Sequence, residues 1–205
     1  LYNSVKTVRI GLEEGALLSC SDGYTDKKPI VFYGSSITQG GCASRPGNSY
    51  QALISRRFNI DYFNFGFSGN ALGEKTMADY IAALPMSLFF LDFDHNSPNA
   101  EHLKAHHESF FLNIREKNPD LPVIMATKTD IPRSPVAEKS NAAHRAVVYE
   151  TYENAVKRGD RNVIFIDGAT VFSKALTLSA PADSCTVDGC HPNDLGFACM
   201  AKVFG

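Results

Sequence analysis

The chain has 205 residues, of which 44% are hydrophobic and 20% charged, enough to bury one sizeable core and to make a single main domain the default expectation. A formal net charge of -2, with both signs spread evenly, leaves no electrostatic footprint for nucleic acid or an anionic membrane, so a small or neutral partner is expected. No apolar run reaches the roughly 20 residues of a membrane helix, and no charged-then-apolar signal segment opens the chain.

Residues 1–28 begin at Leu1 rather than a methionine, as in a processed or trimmed chain. Val8, Ile10 and Leu12 alternate like a half-exposed strand, and the polar stretch SCSDGYTDKK reads as a linker. Two interpretations stand, the tail of a preceding β module and a covering edge strand. Residues 29–205 then form the main domain. Its first apolar run is PIVFY (29–33), followed by a helix capped by Ser49 with Tyr50, Leu53, Ile54 and Phe58 facing inward. YFNF (62–65) is the second run, and Met77, Tyr80, Ile81 and Leu84 recur at helical spacing after it. SLFFLDF (87–93) precedes a stripe of Leu103, Phe110, Phe111 and Ile114. PVIMA (122–126) leads to a helix within 138–158 that ends at Gly159. NVIFID (162–167) is the fifth run, and a last helix follows Pro192.

The five runs are continuous rather than alternating, as parallel strands covered on both faces require. Strands alternating with helices predict an α/β fold, a three-layer α/β/α sandwich on a five-stranded parallel sheet. In such sheets ligands bind beyond the carboxyl ends of the strands, which here read GSSITQGG, GFSGN, DHNSPN, TKTD and DGAT.

Three chemistries compete for those ends. GSSITQGG lacks the lysine and spacing of a phosphate loop, and TKTD (127–130) matches a guanine-reading motif in only four residues, so nucleotide hydrolysis is set aside. His102 and His106 stand four apart beside His107, but flanking Glu101, Lys104 and Glu108 mark a solvated face, and no metal is expected. Cys20, Cys42, Cys185, Cys190 and Cys199 are odd in number without CxxC spacing; a single bridge such as Cys185 to Cys190, or reduced structural thiols, remain open. Nucleophilic catalysis draws on more of the chain. A serine hydroxyl needs a base within hydrogen-bond reach and a group to orient that base, and DGCHPND places Asp188 and His191 three apart in a Gly/Pro turn where a carboxylate can grip Nδ1–H.

The ordered blocks YGSSITQG, NFGFSGN, DFDHN and DGCHPND resemble the SGNH, or GDSL-like, hydrolase superfamily from about Pro29 onward. The resemblance implies a flavodoxin-like fold and a serine ester hydrolase working through an acyl-enzyme, without metal or organic cofactor. It assigns Ser36 as nucleophile, His191 as general base and Asp188 as its orienting acid. The oxyanion hole falls to the N–H groups of Ser36 and Gly69 and the side-chain amide of Asn96, with His95 the alternative to Asn96. Ser35 stands where the GDSL name has aspartate. By family association the substrate is a small-molecule or carbohydrate ester losing a short acyl group such as acetyl. The rivals are a glycan- or ester-binding module on the same fold and a lysophospholipase or thioesterase. Arg45 lies close after the nucleophile and has two readings, an exposed structural arginine, which is preferred, and a contact for a polar or anionic substrate; oligomeric state is open, and a secreted or periplasmic location is preferred to others.

Overall fold

The computed structural model describes residues 3–129, 131, 134–176 and 181–205; Asp130, the last residue of TKTD, lies outside them. Strands β1 (Asp26–Gly34), β2 (Ile60–Gly66), β3 (Leu88–Asp92), β4 (Val123–Ala126) and β5 (Val163–Ile166) pair in parallel in the order β2-β1-β3-β4-β5. This is the flavodoxin-like order of an α/β/α sandwich. Among the described residues, seven helices connect and cover the strands: α1 (Ser36–Gln39), α2 (Tyr50–Phe58), α3 (Lys75–Ala82), α4 (Ala100–Lys117), α5 (Pro135–Lys157), α6 (Val171–Ala175) and α7 (Asp194–Phe204).

The central strands β1, β3 and β4 bury both faces, which is why their runs lack alternation, whereas the edge strands β2 and β5 leave Phe63 and Ile164 exposed. Val31, Tyr33, Phe89 and Leu91 pack with Leu103, Phe110 and Ile114 of α4 on one side. Phe32 and Phe90 meet Tyr50, Phe197 and Phe204 from α2 and α7 on the other. Each such side chain, taken fully out of water, stabilises the fold by about 1.5–3 kcal/mol.

Several expectations are revised. No strand forms over Val8 to Leu12; these residues are exposed and Leu17 is 99% exposed, because no sheet or helix lies within reach to cover them. Phe58 and Tyr80, expected to face inward, are 48% and 54% exposed at the margins of their helices. Ser49 is the N-cap residue of α2, yet its hydroxyl bonds back to Pro46 O instead of capping. No disulfide joins the described cysteines: Cys185 is buried against Cys199, Sγ to Sγ 3.9 Å, rather than bridged to Cys190.

Register places the site. Gly34 pairs with both Gly66 and Asp92, so β1, β2 and β3 end at one level and their following loops emerge side by side. The chain runs from β1 out to β2 and returns to β3 on the other flank, opening a crevice where strand order reverses. Glycine is required at two of these ends. A Cβ on Gly34 would lie 2.1 Å from Thr38 Oγ1, and one on Gly66 would lie 2.0 Å from Gln39 N, so only bare backbone lets α1 fold back against the sheet.

Candidate active site

Ser36 is the first residue of α1, on the sharp turn leaving β1. Ser35 is buried and accepts a hydrogen bond from Ile37 N at 3.2 Å, serving as the N-cap, a task serine and aspartate share. Beneath the turn, Gln51 Nε2 and Asn64 Nδ2 donate to Thr38 O at 2.6 and 2.8 Å, and Thr38 Oγ1 reaches Asp92 Oδ2 at 3.3 Å. Burial, reinforced by the neighbouring Asp94, raises the Asp92 pKa well above the carboxylate range. Asp92 Oδ2, which also accepts from Tyr50 Oη at 3.4 Å, thus belongs to a buried hydrogen-bonded network beneath the turn.

His191 comes from the loop before α7. An antiparallel bridge between Thr186 and Pro192 closes that loop, Val187 N donates to His191 O at 2.9 Å, and Gly189 takes the left-handed φ of 87° that the turn needs. Asp188 Oδ1 accepts from the backbone N–H groups of Cys190 and His191 at 2.8 and 2.7 Å, while Oδ2 meets His191 Nδ1 at 2.7 Å. The bond to the imidazole, with those backbone bonds, holds the Asp188 carboxyl well below its usual range. An ionised acceptor at Nδ1 fixes the proton there, leaving the Nε2 lone pair to face Ser36 Oγ at 3.0 Å. Both side chains keep solvent access, 33% for His191 and 48% for Asp188.

Gly69 and Asn96 also meet at this rim. Gly69 N–H donates to Asn96 Oδ1 at 3.2 Å, and Asn96 Nδ2 donates to Phe67 O at 2.9 Å. The amide thus ties the loop after β2 to the turn after β3, using one of its two Nδ2 hydrogens and pointing its oxygen at the glycine. His95 is half-buried, and burial together with Lys128, His191 and His144 keeps its imidazole neutral. Arg45 is exposed at the start of the short 46–48 helix and lies within electrostatic reach of Asp194.

Two features escaped the sequence. His107, grouped with the solvated histidines, is buried, stacks on Phe93 and bonds Thr151 Oγ1 through Nδ1 at 2.9 Å. Its place four residues after Leu103 on the inward stripe was the available signal. Asp194, at the start of α7, accepts from Ser44 N at 2.9 Å, Ser44 Oγ at 2.5 Å and Asn48 Nδ2 at 2.9 Å, linking segments 146 to 150 residues apart. Nothing in local spacing announces that contact.

Among solved structures, a Bacteroides ovatus protein described as a GDSL-like lipase superposes with a TM-score of 0.75 and 32% identity, over 87% of this chain and 51% of that one. A salicylyl-acyltransferase from a tetracycline biosynthetic pathway gives 0.71 and 24%, over 87% and 53%. An acetylxylan esterase from Geobacillus stearothermophilus gives 0.64 and 20%, over 89% and 93%. The chain thus spans about half the length of the first two. No curated protein sequence matches it. The model of the GDSL-like lipase/acylhydrolase family matches residues 27–205, nearly the whole of the folded domain, and the chain therefore belongs to that family.

Proposed function

We propose that the protein is a serine ester hydrolase in which Ser36 is the nucleophile, His191 the general base and Asp188 its orienting acid. The observation that supports this most is the unbroken line from Ser36 Oγ to His191 Nε2 at 3.0 Å and from His191 Nδ1 to Asp188 Oδ2 at 2.7 Å. As Ser36 Oγ attacks the ester carbonyl carbon, its proton passes to Nε2 and the carbonyl oxygen becomes an oxyanion. The N–H groups of Ser36 and Gly69 and the second Nδ2 hydrogen of Asn96 are the assigned donors to it, Gly69 exchanging its bond to Asn96 for the stronger negative acceptor. The imidazolium then protonates the departing alcohol, giving an acyl-serine. Water loses its proton to His191 as it attacks, and the acid leaves with Ser36 restored.

We assign a short acyl group, such as acetyl, on a carbohydrate or other small alcohol. Gly69 and Asn70, in the loop after β2, and the Phe67 ring are exposed, and His191 beside Ser36 keeps solvent access. An apolar cavity of about 310 Å³, lined by Ile30, Phe58, Ile60, Leu88 and Phe204, lies at the amino ends of the strands, the wrong end to receive a chain attached at Ser36. That placement disfavours a lysophospholipase.

A fluorophosphonate probe and p-nitrophenyl acetate test the assignment. Wild-type protein should label and turn over, and Ser36→Ala should do neither; persistent labelling in the variant removes Ser36 from the mechanism, and no labelling of the wild type leaves a binding module. Turnover that rises from acetate through butyrate to octanoate overturns the short-acyl assignment.

A further inference from the structure

The 3.0 Å contact between Ser36 and His191 depends on how two remote backbones are held together. Ser36 is joined to the loop that follows it through Gly41 N to Ser36 O at 2.8 Å and Ala43 N to Gly40 O at 3.2 Å. His191 leads through Pro192 and Asn193 into α7, whose apolar anchors, Phe197, Met200 and Phe204, lie further along the helix. Near the crevice itself, the Asp194 carboxylate spans the two segments. Oδ1 takes the Ser44 N–H, and Oδ2 takes both the Ser44 hydroxyl and the Asn48 amide. Asn48 Nδ2 also reaches Ser44 Oγ at 3.2 Å, so the three side chains form one closed unit.

We infer that Asp194 is a positioning residue for acyl transfer: its carboxylate clasps the loop after the nucleophile to the helix after the base, and so sets the alignment of Ser36 Oγ with His191 Nε2. This rests on the ester hydrolase assignment above. Every acceptor oxygen of the clasp is matched to a donor, and a carboxylate receiving three such bonds is directional in a way that apolar packing is not. The two hydrogen bonds from Ser44 are the main reason the Asp194 carboxyl stays below its ordinary range. The clasp thus remains ionised wherever an imidazole base is neutral. Because it lies at the surface, it contributes little to global stability, whereas misplacing reacting groups by about 1 Å can cost on the order of a hundredfold in rate. Alignment, not folding, is where its loss should register.

Asp194→Asn tests this, since an amide has one acceptor oxygen and cannot serve both the Ser44 N–H on Oδ1 and the two donors on Oδ2. The kcat for p-nitrophenyl acetate and the rate constant for fluorophosphonate labelling should fall together by about tenfold, with KM within about twofold and little change in melting temperature. Ser44→Ala, which leaves the carboxylate in place, should lower both rates by about threefold, and Asp194→Glu should recover part of the loss. Asp79→Asn removes an exposed carboxylate paired with Lys75 and should leave both rates unchanged. Labelling by Asp194→Asn at the wild-type rate overturns the inference, as does a fall in kcat matched only by a lost folded fraction. Should Asp194→Asn fail to fold, Ser44→Ala decides alone, and an unchanged labelling rate for it overturns the clasp. Absence of labelling in the wild type would instead defeat the ester hydrolase assignment, so the two failures are distinguishable.

Discussion

At the scale of single residues, the site divides by sequence distance. Asp188 and His191 are three apart, and a turn with Gly189 and Pro192 has few ways to fold, so their contact was legible from DGCHPND. The two bonds linking Asn96 with Gly69 and Phe67 were not, because an amide's orientation depends on which groups a neighbouring loop presents. Asp188→Asn should separate orientation from folding. The bond from His191 holds the native Asp188 carboxyl below the ordinary range, so its stabilising effect is complete above the unfolded carboxyl pKa of about 3.9 and is lost only as pH falls through the lower folded value. In the variant, an amide at Nδ1 favours the wrong tautomer, and kcat should drop by about a thousandfold or more with the circular dichroism spectrum unchanged. A loss under about tenfold would show that the acid orients nothing of consequence.

Secondary-structure elements were legible where period and composition agreed. The five apolar runs coincide with the five strands, and the stripe Leu103, Phe110, Phe111 and Ile114 is the buried face of α4. Errors arose at polar or marginal members of a pattern. His107 shares that buried face, and desolvation pushes its pKa down to about 3, so it is neutral in the folded protein and donates through Nδ1 to Thr151. An unfolded histidine takes up a proton near pH 6.5, so its contribution is complete above that value and is lost progressively as pH falls from about 6.5 towards 3. The melting temperature should decline with acidification across that window, and His107→Asn should flatten the slope there. An identical slope in variant and wild type would assign the acid sensitivity to other groups. Phe58 and Tyr80 depart from the pattern in the opposite sense, apolar side chains that stay exposed because both sit where the helix face turns to solvent.

For the whole molecule, residues 3–22 stand apart from the packed domain. They carry exposed apolar side chains, and the hydrogen bonds that join the chain to the body begin with Asn59 Nδ2 to Gly23 O at 3.3 Å and Thr25 N to Asn59 O at 2.8 Å. Removing residues 1–22 should leave the melting temperature of the remaining chain within about 2 °C of the full chain and its turnover of p-nitrophenyl acetate unchanged, as calorimetry and a rate assay would report. A fall of about 10 °C would mean that the segment packs on the domain. By itself the sequence determined the α/β class, the strands and most helix faces, and the short-range acid–imidazole pair, because these follow from chain-local periodicity and from turns of a few residues. Only the tertiary structure decided the strand order, the common level at which β1, β2 and β3 end, and the Ser44, Asn48 and Asp194 contact. Those depend on register and on surfaces meeting across more than a hundred residues, where no local pattern constrains which partner a backbone or carboxylate finds.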